Sequence, residues 1–366
     1  MAGRAAVDVH SHVYLPRYRD LLRARDRVPR IGGPDDDPRL IILPGEDAEA
    51  STAAGRPIGG EYFSAERKIA YMDAHDIAVS ILSLANPWLD FVEPGDAPAL
   101  ATALNEDLEG WCAASGGRFH GFGVLPITAP EACADEVRRI AGLDHLRGII
   151  IGASGLGTGL DDPRLHPVWE TLEGEGLTVF VHPHNGVGGE HFAGTGHTLA
   201  LALGFPFETT IAIARLVLAG ILERFPRLKV LVAHSGGVLP YLAGRIDGCA
   251  KTDAHAFPLT MPPSAYLANI MVDAISYSPA TLTCAAALCG WEKVMFGTDH
   301  PFFRPDLPDE RLDAGPWSSA TENQAVVDGL GPDRARAIYR DNAARLLDLP
   351  PANGVRGRSA GSAAAD

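Results

Sequence analysis

Short apolar runs alternate with amphipathic stretches along most of the 366-residue chain. Several runs, such as 147–152 (RGIIIG), are apolar almost without interruption, which is typical of strands buried on both faces of a parallel sheet. This pattern predicts eight strands, at 7–10, 78–84, 119–127, 147–152, 177–184, 229–237, 269–274 and 293–301.

The stretches between these runs have helical character. Apolar residues in 207–225 recur three and four positions apart, and Pro226 then ends the pattern. Ser64 begins a sequence typical of a helix N-terminal cap, just before the helical stretch 68–75. The predicted helices are 68–75, 97–115, 129–141, 165–174, 207–225, 279–288 and 333–347.

Eight strands that alternate with helices predict an α/β fold, a (β/α)8 TIM barrel. The alternative, a doubly wound open sheet, is less favoured because no GxGxxG follows the first strand. Residues 1–350 are predicted to form a single barrel domain, in which 14–63 is a long lid insertion after strand 1. Residues 351–366 are rich in Gly, Ser, Ala and Arg and are predicted to be a disordered tail.

The net charge narrows the range of partners. Lys+Arg minus Asp+Glu is 31 − 46 = −15, so we expect neither nucleic acid nor an anionic membrane surface as a partner. We also predict no membrane span, because no 18-residue apolar run is free of charges and breakers. The five cysteines form no CxxC pair and no secretory signal is present, which predicts free thiols in a cytoplasmic protein.

Histidine and aspartate recur where predicted strands end. His10 and His12 lie at the carboxyl end of the first predicted strand, His182 at that of the fifth, His234 at that of the sixth and Asp299 at that of the eighth. Residues i and i+2 of a strand share a face, so His10 and His12 can bind one metal together. A single buried histidine is more often a hydrogen-bonded core residue than a ligand. Several at the carboxyl ends of barrel strands, where active sites lie, instead indicate a metal site.

The expected ligands are three imidazoles and one carboxylate, from His10, His12, His182 and Asp299. This set suits one divalent ion, most simply Zn²⁺, with Mn²⁺ or Fe²⁺ as alternatives. We interpret His234 as an acid–base group beside the ion, not as a ligand. His184 and His300 are expected to support the site from behind, or simply to be exposed.

Four motifs resemble one branch of a known superfamily. DVHSH, HPHNG, the stretch 203–247 and FGTDHPF are similar to the metal-dependent decarboxylases of the amidohydrolase superfamily, in particular the aminocarboxymuconate-semialdehyde decarboxylase-like enzymes. The resemblance implies a TIM barrel with one metal, usually zinc, bound by the four residues named above, and a catalytic role for His234. In a decarboxylation at such a site, we expect His234 and Asp299 to handle the protons. It also implies a homodimer in which Arg245 reaches the partner's substrate carboxylate. The alternative is a surface ion pair of Arg245 with Asp247 or another neighbour.

The chain also departs from this branch. An aromatic residue that helps to frame the pocket is not evident in GHTLALALGFP, and Arg56 is only a positional match to an arginine of the lid. Asn86 and Trp88 follow the second strand and are expected to line the substrate pocket. Superfamily members with two metal ions often use a carboxylated lysine at the end of the fourth strand. The fourth strand of this chain ends without a lysine, which favours one ion.

These features predict a metal-dependent non-oxidative decarboxylase, a carboxy-lyase, that acts on a small unsaturated or aromatic carboxylic acid. A hydrolase or hydratase with a lactone or C=C substrate is the alternative on the same barrel. A metal-stabilised binding protein without activity is a third hypothesis.

Overall fold

Eight parallel strands, paired in chain order, form the central sheet. The structure is a computed structural model and describes residues 4–253 and 258–350. The strands are β1 (Ala6–Val13), β2 (Ile77–Leu84), β3 (Phe119–Gly123), β4 (Leu146–Gly152), β5 (Thr178–His182), β6 (Lys229–Val232), β7 (Met271–Asp273) and β8 (Val294–Met295).

The two edges of this sheet come together. The Val9 amide donates to the Phe296 carbonyl (2.9 Å), and the His12 amide donates to the His300 carbonyl (2.7 Å). Ser11 and His300 form a parallel bridge between the same two segments. Hydrogen bonds from the segment after β8 to β1 therefore close the sheet, and the predicted TIM barrel is confirmed.

Helices flank the barrel. A Ser64 side chain that accepts from the Arg67 amide (3.2 Å) caps the helix before β2, as predicted. The expected helix 207–225 is divided at Gly220, whose φ of 74° ends the first helix and starts a second. The α-helices are Pro16–Arg23, Gly60–Phe63, Ala65–Ala74, Ala97–Ala114, Pro130–Ala141, His166–Glu175, Phe205–Leu218, Ile221–Arg224, Leu239–Thr252, Pro263–Leu267, Pro279–Cys289, Asp309–Leu312, Ser318–Asp328, Pro332–Arg336 and Asn342–Leu346.

The insertion 14–63 has secondary structure of its own. It contains two of these helices and a three-stranded antiparallel sheet, formed by Arg30–Gly32, Arg39–Ile41 and Arg56–Pro57. The stacked rings of Tyr14 and Tyr62 (centroids 5.6 Å apart) tie its two ends together. Its movement as a lid remains a prediction, and the predicted tail 351–366 lies outside the described residues.

One helical stretch, residues 200–218, is long and apolar enough to cross a membrane by length and composition alone. Half of this stretch is buried inside the protein, as in the core helix of a soluble fold. The expectation that the chain has no membrane span is therefore neither confirmed nor contradicted.

A buried lysine lies at the seam where the barrel closes. The side chain of Lys68 is fully buried, and its Nζ donates to Ser11 Oγ (3.1 Å) and to the carbonyls of His12 (2.9 Å) and His300 (3.3 Å). Lys68 thus joins the end of β1 to the segment after β8. Burial lowers the pKa of Lys68 to about 7, and the carboxylates of Asp8 and Glu61 oppose this shift.

We expect Lys68→Met to lower the free energy of unfolding by about 2–4 kcal/mol, because methionine fills the space but leaves two buried carbonyls with one donor fewer. Urea unfolding measures this change. Lys229→Met is the control: it removes a surface ion pair with Asp348 and should change stability by less than about 1 kcal/mol. Equal effects of the two substitutions would contradict the role of Lys68 at the seam.

Candidate metal centre

Four metal-binding side chains from both ends of the chain converge at the carboxyl ends of the strands. One ligand atom from each of His10, His12, His182 and Asp299 lies within 4.8 Å of the other three. The Nε2 atoms of His10 and His12 are 3.0 Å apart, and each lies 3.3 Å from Asp299 Oδ1. The structure therefore contains the metal site that the strand-end pattern predicted.

Two of the atoms that point into the metal site lack hydrogen-bond partners. His182 Nε2 and Asp299 Oδ1 are buried and have no hydrogen-bond partner among the described residues. The other nitrogen of each ring is bound elsewhere: His12 Nδ1 faces Ser83 Oγ (2.9 Å) and His182 Nδ1 faces the Pro183 carbonyl (2.7 Å). Such outer contacts orient the rings with their Nε2 lone pairs towards a common point, as a metal ion requires. The donor set thus fits one divalent ion.

The protonation states also suit a cation. Burial lowers the pKa of His12 to about 4 and that of His182 well below its usual value, so both rings are neutral ligands. Burial would raise the pKa of Asp299, but the neighbouring His10 holds it well below its usual range. Burial would likewise lower the pKa of His10, but Asp299 and Asp273 raise it to about 10. Positive charge is therefore favoured between these two carboxylates.

Asp273, the last residue of β7, links the metal site to His234. Its Oδ2 faces His10 Nδ1 (2.7 Å) and accepts from the His234 amide (2.9 Å), while Oδ1 accepts from the Ser235 amide (2.9 Å). Both His234 and Ser235 have a positive φ, of 56° and 55°, which is strained for residues with a side chain. The buried Asp273 carboxylate holds this turn and directs His234 towards the site.

His234 lies beside the cluster and outside it. Its Nε2 is 3.5 Å from Asp299 Oδ2, and its side chain is 17% exposed to solvent. A partly accessible imidazole next to a carboxylate is a suitable acid–base group. The role of His234 as an acid–base group beside the four ligands stays a prediction.

Gly297 allows the segment after β8 to approach β1. A Cβ at this position would lie 3.0 Å from His10 Cβ and 3.2 Å from Asp273 Cβ, both closer than ordinary contact. The following residues turn sharply at Asp299, whose φ is 57° and whose amide donates to the His10 carbonyl (2.8 Å). The glycine of the FGTDHPF motif thus brings Asp299 and His10 together.

A cavity of about 850 Å³ opens above these residues, and His182, His234 and Asp299 form part of its wall. The insertion contributes Arg56 and Tyr62, so 14–63 does border the site, as expected for a segment after β1. Apolar side chains that could hold a planar ring complete the wall; they include Leu201, Phe205, Ile275, Phe302 and Phe303.

The residues expected to bind substrate occupy different places. Asn86 is buried and lines the cavity, and its Oδ1 has no partner among the described residues. Trp88 does not belong to the cavity wall: its indole N–H donates to the Leu84 carbonyl (2.9 Å) and its ring packs on that of His182 (5.8 Å). The sequence predicts Trp88 in the lining of the pocket, whereas its ring lies against that of His182.

Arg245 is exposed and lies in a separate groove between the helices Phe205–Leu218 and Leu239–Thr252. The alternative ion pair with Asp247 does not form, because that carboxylate accepts instead from the amide and hydroxyl of Ser264 (2.8 and 2.6 Å). Arg245 therefore does not reach the cavity of its own chain.

His184 and His300 are both buried, which excludes simple exposure for either. His184 Nδ1 faces Asn86 Nδ2 (3.0 Å), so it supports a cavity residue. The His300 ring stacks on Tyr71 (3.6 Å between centroids) and its Nδ1 faces Lys68 Nζ. Both histidines therefore contact residues that border the site, which is the first of the two alternatives predicted from the sequence.

Asp273 and Lys68 are not among the residues predicted from the sequence. Asp273 ends a predicted strand, so the rule that identified the histidines would also have identified it. Lys68 carried no signal, because a lysine in an amphipathic helix usually faces solvent.

We expect Asp273→Asn to weaken divalent-metal affinity by about 10- to 100-fold, because an amide nitrogen cannot accept the hydrogen bonds that orient His10 and the His234 turn. Competition with a chromogenic chelator measures this affinity. Asp247→Asn, which changes a carboxylate on a distant helix, should leave metal affinity unchanged. A wild-type affinity in Asp273→Asn would show that Asp273 does not orient the site.

Comparison with known proteins identifies relatives over nearly the full chain. Residues 7–349 match the family model described as Amidohydrolase. The 2-amino-3-carboxymuconate-6-semialdehyde decarboxylase of Dictyostelium discoideum is 31% identical over 81% of this chain and 80% of its own length. The γ-resorcylate decarboxylase of Rhodococcus jostii is 30% identical over 77% of this chain and 87% of its own.

A solved structure shares the whole architecture. The apo form of Metarhizium anisopliae IDCase superposes with a TM-score of 0.88 at 40% identity, covering 94% of this chain and 97% of that one. The resemblance predicted from the four motifs is thus confirmed. With the barrel, the metal site and these matches taken together, the chain belongs to the amidohydrolase family, among relatives that are decarboxylases by name.

Proposed function

We propose that the protein is a metal-dependent, non-oxidative decarboxylase of an aromatic or unsaturated carboxylic acid. The observation that carries this proposal is the pair His234 and Asp299, placed 3.5 Å apart between a three-histidine metal site and a largely apolar cavity. Two relatives of known activity are decarboxylases of such acids by name, which supports the same reaction class and disfavours a hydrolase or hydratase.

A divalent ion held by His10, His12, His182 and Asp299 supplies Lewis-acid stabilisation of negative charge on substrate oxygens when it is bound. We propose zinc as this ion, because three imidazoles and one carboxylate suit it, with manganese as the alternative.

The side chains of the cavity position the acid and move the proton. Phe205 and Phe302 provide apolar walls for a flat ring and limit the entry of water. His234 and Asp299 share a proton and deliver it to the ring carbon that bears the carboxylate. The bond to that carboxylate then breaks, its electron pair returns to the ring and CO₂ leaves, so no oxidant is needed.

We further propose that the protein acts as a homodimer. Leu203, Phe207 and Ile211 recur every four residues along 200–218 and are 42%, 39% and 47% exposed, and Tyr241 on the next helix is 83% exposed. We propose that a second copy of the chain covers this apolar surface. Arg245 lies in the groove beside it and would extend from there into the partner's cavity.

The reaction class is tested by CO₂ release from muconate-type acids and dihydroxybenzoates, with apoprotein reconstituted with zinc or manganese. His234→Ala should lower kcat by about 10²- to 10⁴-fold while one metal per chain is retained, because it removes an acid–base group but no ligand. His191→Ala, at an exposed surface position, is the control. Loss of the acid without CO₂ would favour a hydrolase or hydratase, and full activity in His234→Ala would refute the role of His234.

The dimer is tested by mixing two inactive variants, Arg245→Ala and His234→Ala. If Arg245 acts on the partner's site, each mixed dimer has one complete site, and a random mixture should recover about a quarter of wild-type activity. Activity is measured after subunit exchange. No recovery despite mixed dimers would mean that Arg245 does not serve the partner's site.

A further inference from the structure

A buried carboxylate in the insertion is held in one orientation by the backbone around it. The side chain of Glu46 is 1% exposed, and its Oε2 accepts from the amides of Ile42 (2.6 Å) and Leu43 (2.8 Å). Thr52 Oγ1 donates to the Glu46 carbonyl (2.7 Å) and stabilises the same turn. The position of the second carboxylate oxygen is therefore set by the fold of the insertion.

This second oxygen faces two residues of the cavity wall. Glu46 Oε1 lies 2.6 Å from His197 Nε2 and 3.6 Å from Arg56 Nε. His197 belongs to the segment between β5 and the helix Phe205–Leu218, far from the insertion in the sequence. One carboxylate thus joins the insertion to this segment at the cavity.

The far end of Arg56 is available to a ligand. Arg56 Nη2 is buried, and no hydrogen-bond partner reaches it among residues 4–253 and 258–350. Its guanidinium carbon lies 5.8 Å from the centroid of the Phe302 ring, on another part of the wall. Arg56 Nε likewise has no hydrogen-bond partner among these residues and is only ion-paired with Glu46 Oε1, at 3.6 Å, so the guanidinium retains donors for an anionic group in the cavity.

We propose that Glu46 is a positioning residue that, with His197, fixes Arg56 in the orientation that receives an acidic group of the substrate. This inference rests on the proposed function, because it takes a carboxylic acid to be the occupant of the cavity. It also assigns to Glu46 and His197 the link that holds the insertion 14–63 against the segment 186–204.

Glu46 keeps its negative charge, and therefore its ion pair with Arg56, at neutral pH. Burial would raise the pKa of Glu46, but His197, Arg56 and the two amides outweigh this and lower it. The carboxylate is therefore charged at neutral pH. An arginine without such a partner samples many rotamers, and a fixed planar guanidinium is better suited to bind a carboxylate through two hydrogen bonds.

Glu46→Gln tests the proposal, since it keeps the size of the side chain and removes its charge. We expect KM for the acid that releases CO₂ to rise about tenfold or more, with kcat changed less than about threefold and metal content unchanged. Glu49→Gln is the matched control: the same change three residues along, on a carboxylate bound to Ser51, should leave both constants unchanged. An unchanged KM in Glu46→Gln would overturn the proposal, as would a fall in kcat that accompanies loss of metal.

A second pair of measurements distinguishes this proposal from the proposed function. His197→Phe should raise KM in the same direction, and the double variant with Glu46→Gln should be no worse than Glu46→Gln alone, because both changes break one link. Hydrogen exchange of the full-length protein should become faster in 42–58 and in 186–204 in each variant. If no acid releases CO₂, the proposed function fails, but hydrogen exchange still tests whether Glu46 and His197 hold the insertion against the segment 186–204. Unchanged hydrogen exchange in both variants would refute that contact.

Discussion

Three imidazoles and a carboxylate point at one another in a buried place, and this crowding is the constraint on which the rest of the structure depends. Lone pairs and negative charge that are removed from water and left without donors are unfavourable unless a cation lies among them. His182 Nε2 and Asp299 Oδ1 are in this position. The close approach at Gly297 and the strained turn at His234, held by Asp273, are both consequences of bringing these groups to a single point.

The fold and the ligand set could be predicted from sequence because both follow a simple periodicity. Buried parallel strands give unbroken apolar runs, and barrel strands present their last residues on one face, so His10, His12, His182 and Asp299 could be placed together without coordinates. The strand ends could not be predicted as well. The predicted sixth strand runs to 237, whereas β6 ends at Val232 and the chain then turns at Ser235, which adopts a left-handed conformation.

What could not be predicted depends on contacts between distant segments. Lys68 lies in a helix whose pattern places it at the surface, and only closure of the barrel between β1 and the segment after β8 buries it. Glu46 lies in a stretch rich in turns and polar residues, and its partner His197 is about 150 residues away. Trp88 follows a strand end, as the predicted metal ligands do, yet its side chain packs against the His182 ring and is absent from the described cavity wall. Position along a strand could be predicted from the pattern; side-chain direction after the strand could not.

The distribution of charge in the cavity connects the metal with the proposed dimer. A net charge of −15 repels an acid, but this field is screened beyond about 8 Å at physiological ionic strength, so the charges at the cavity decide binding. The positive charges of Arg56 and Arg304 on the wall are each offset by a buried glutamate, Glu46 at 3.6 Å and Glu61 at 3.1 Å. Asp299 adds a further negative charge. Within one chain the described wall therefore has no excess of positive charge. A divalent ion adds positive charge at the four ligands, and Arg245 from a second subunit would add more. The orientation of Arg56, and not its net charge, is what Glu46 contributes, so binding of an acid in this cavity should depend on the metal, on the direction of the Arg56 guanidinium and on the partner subunit.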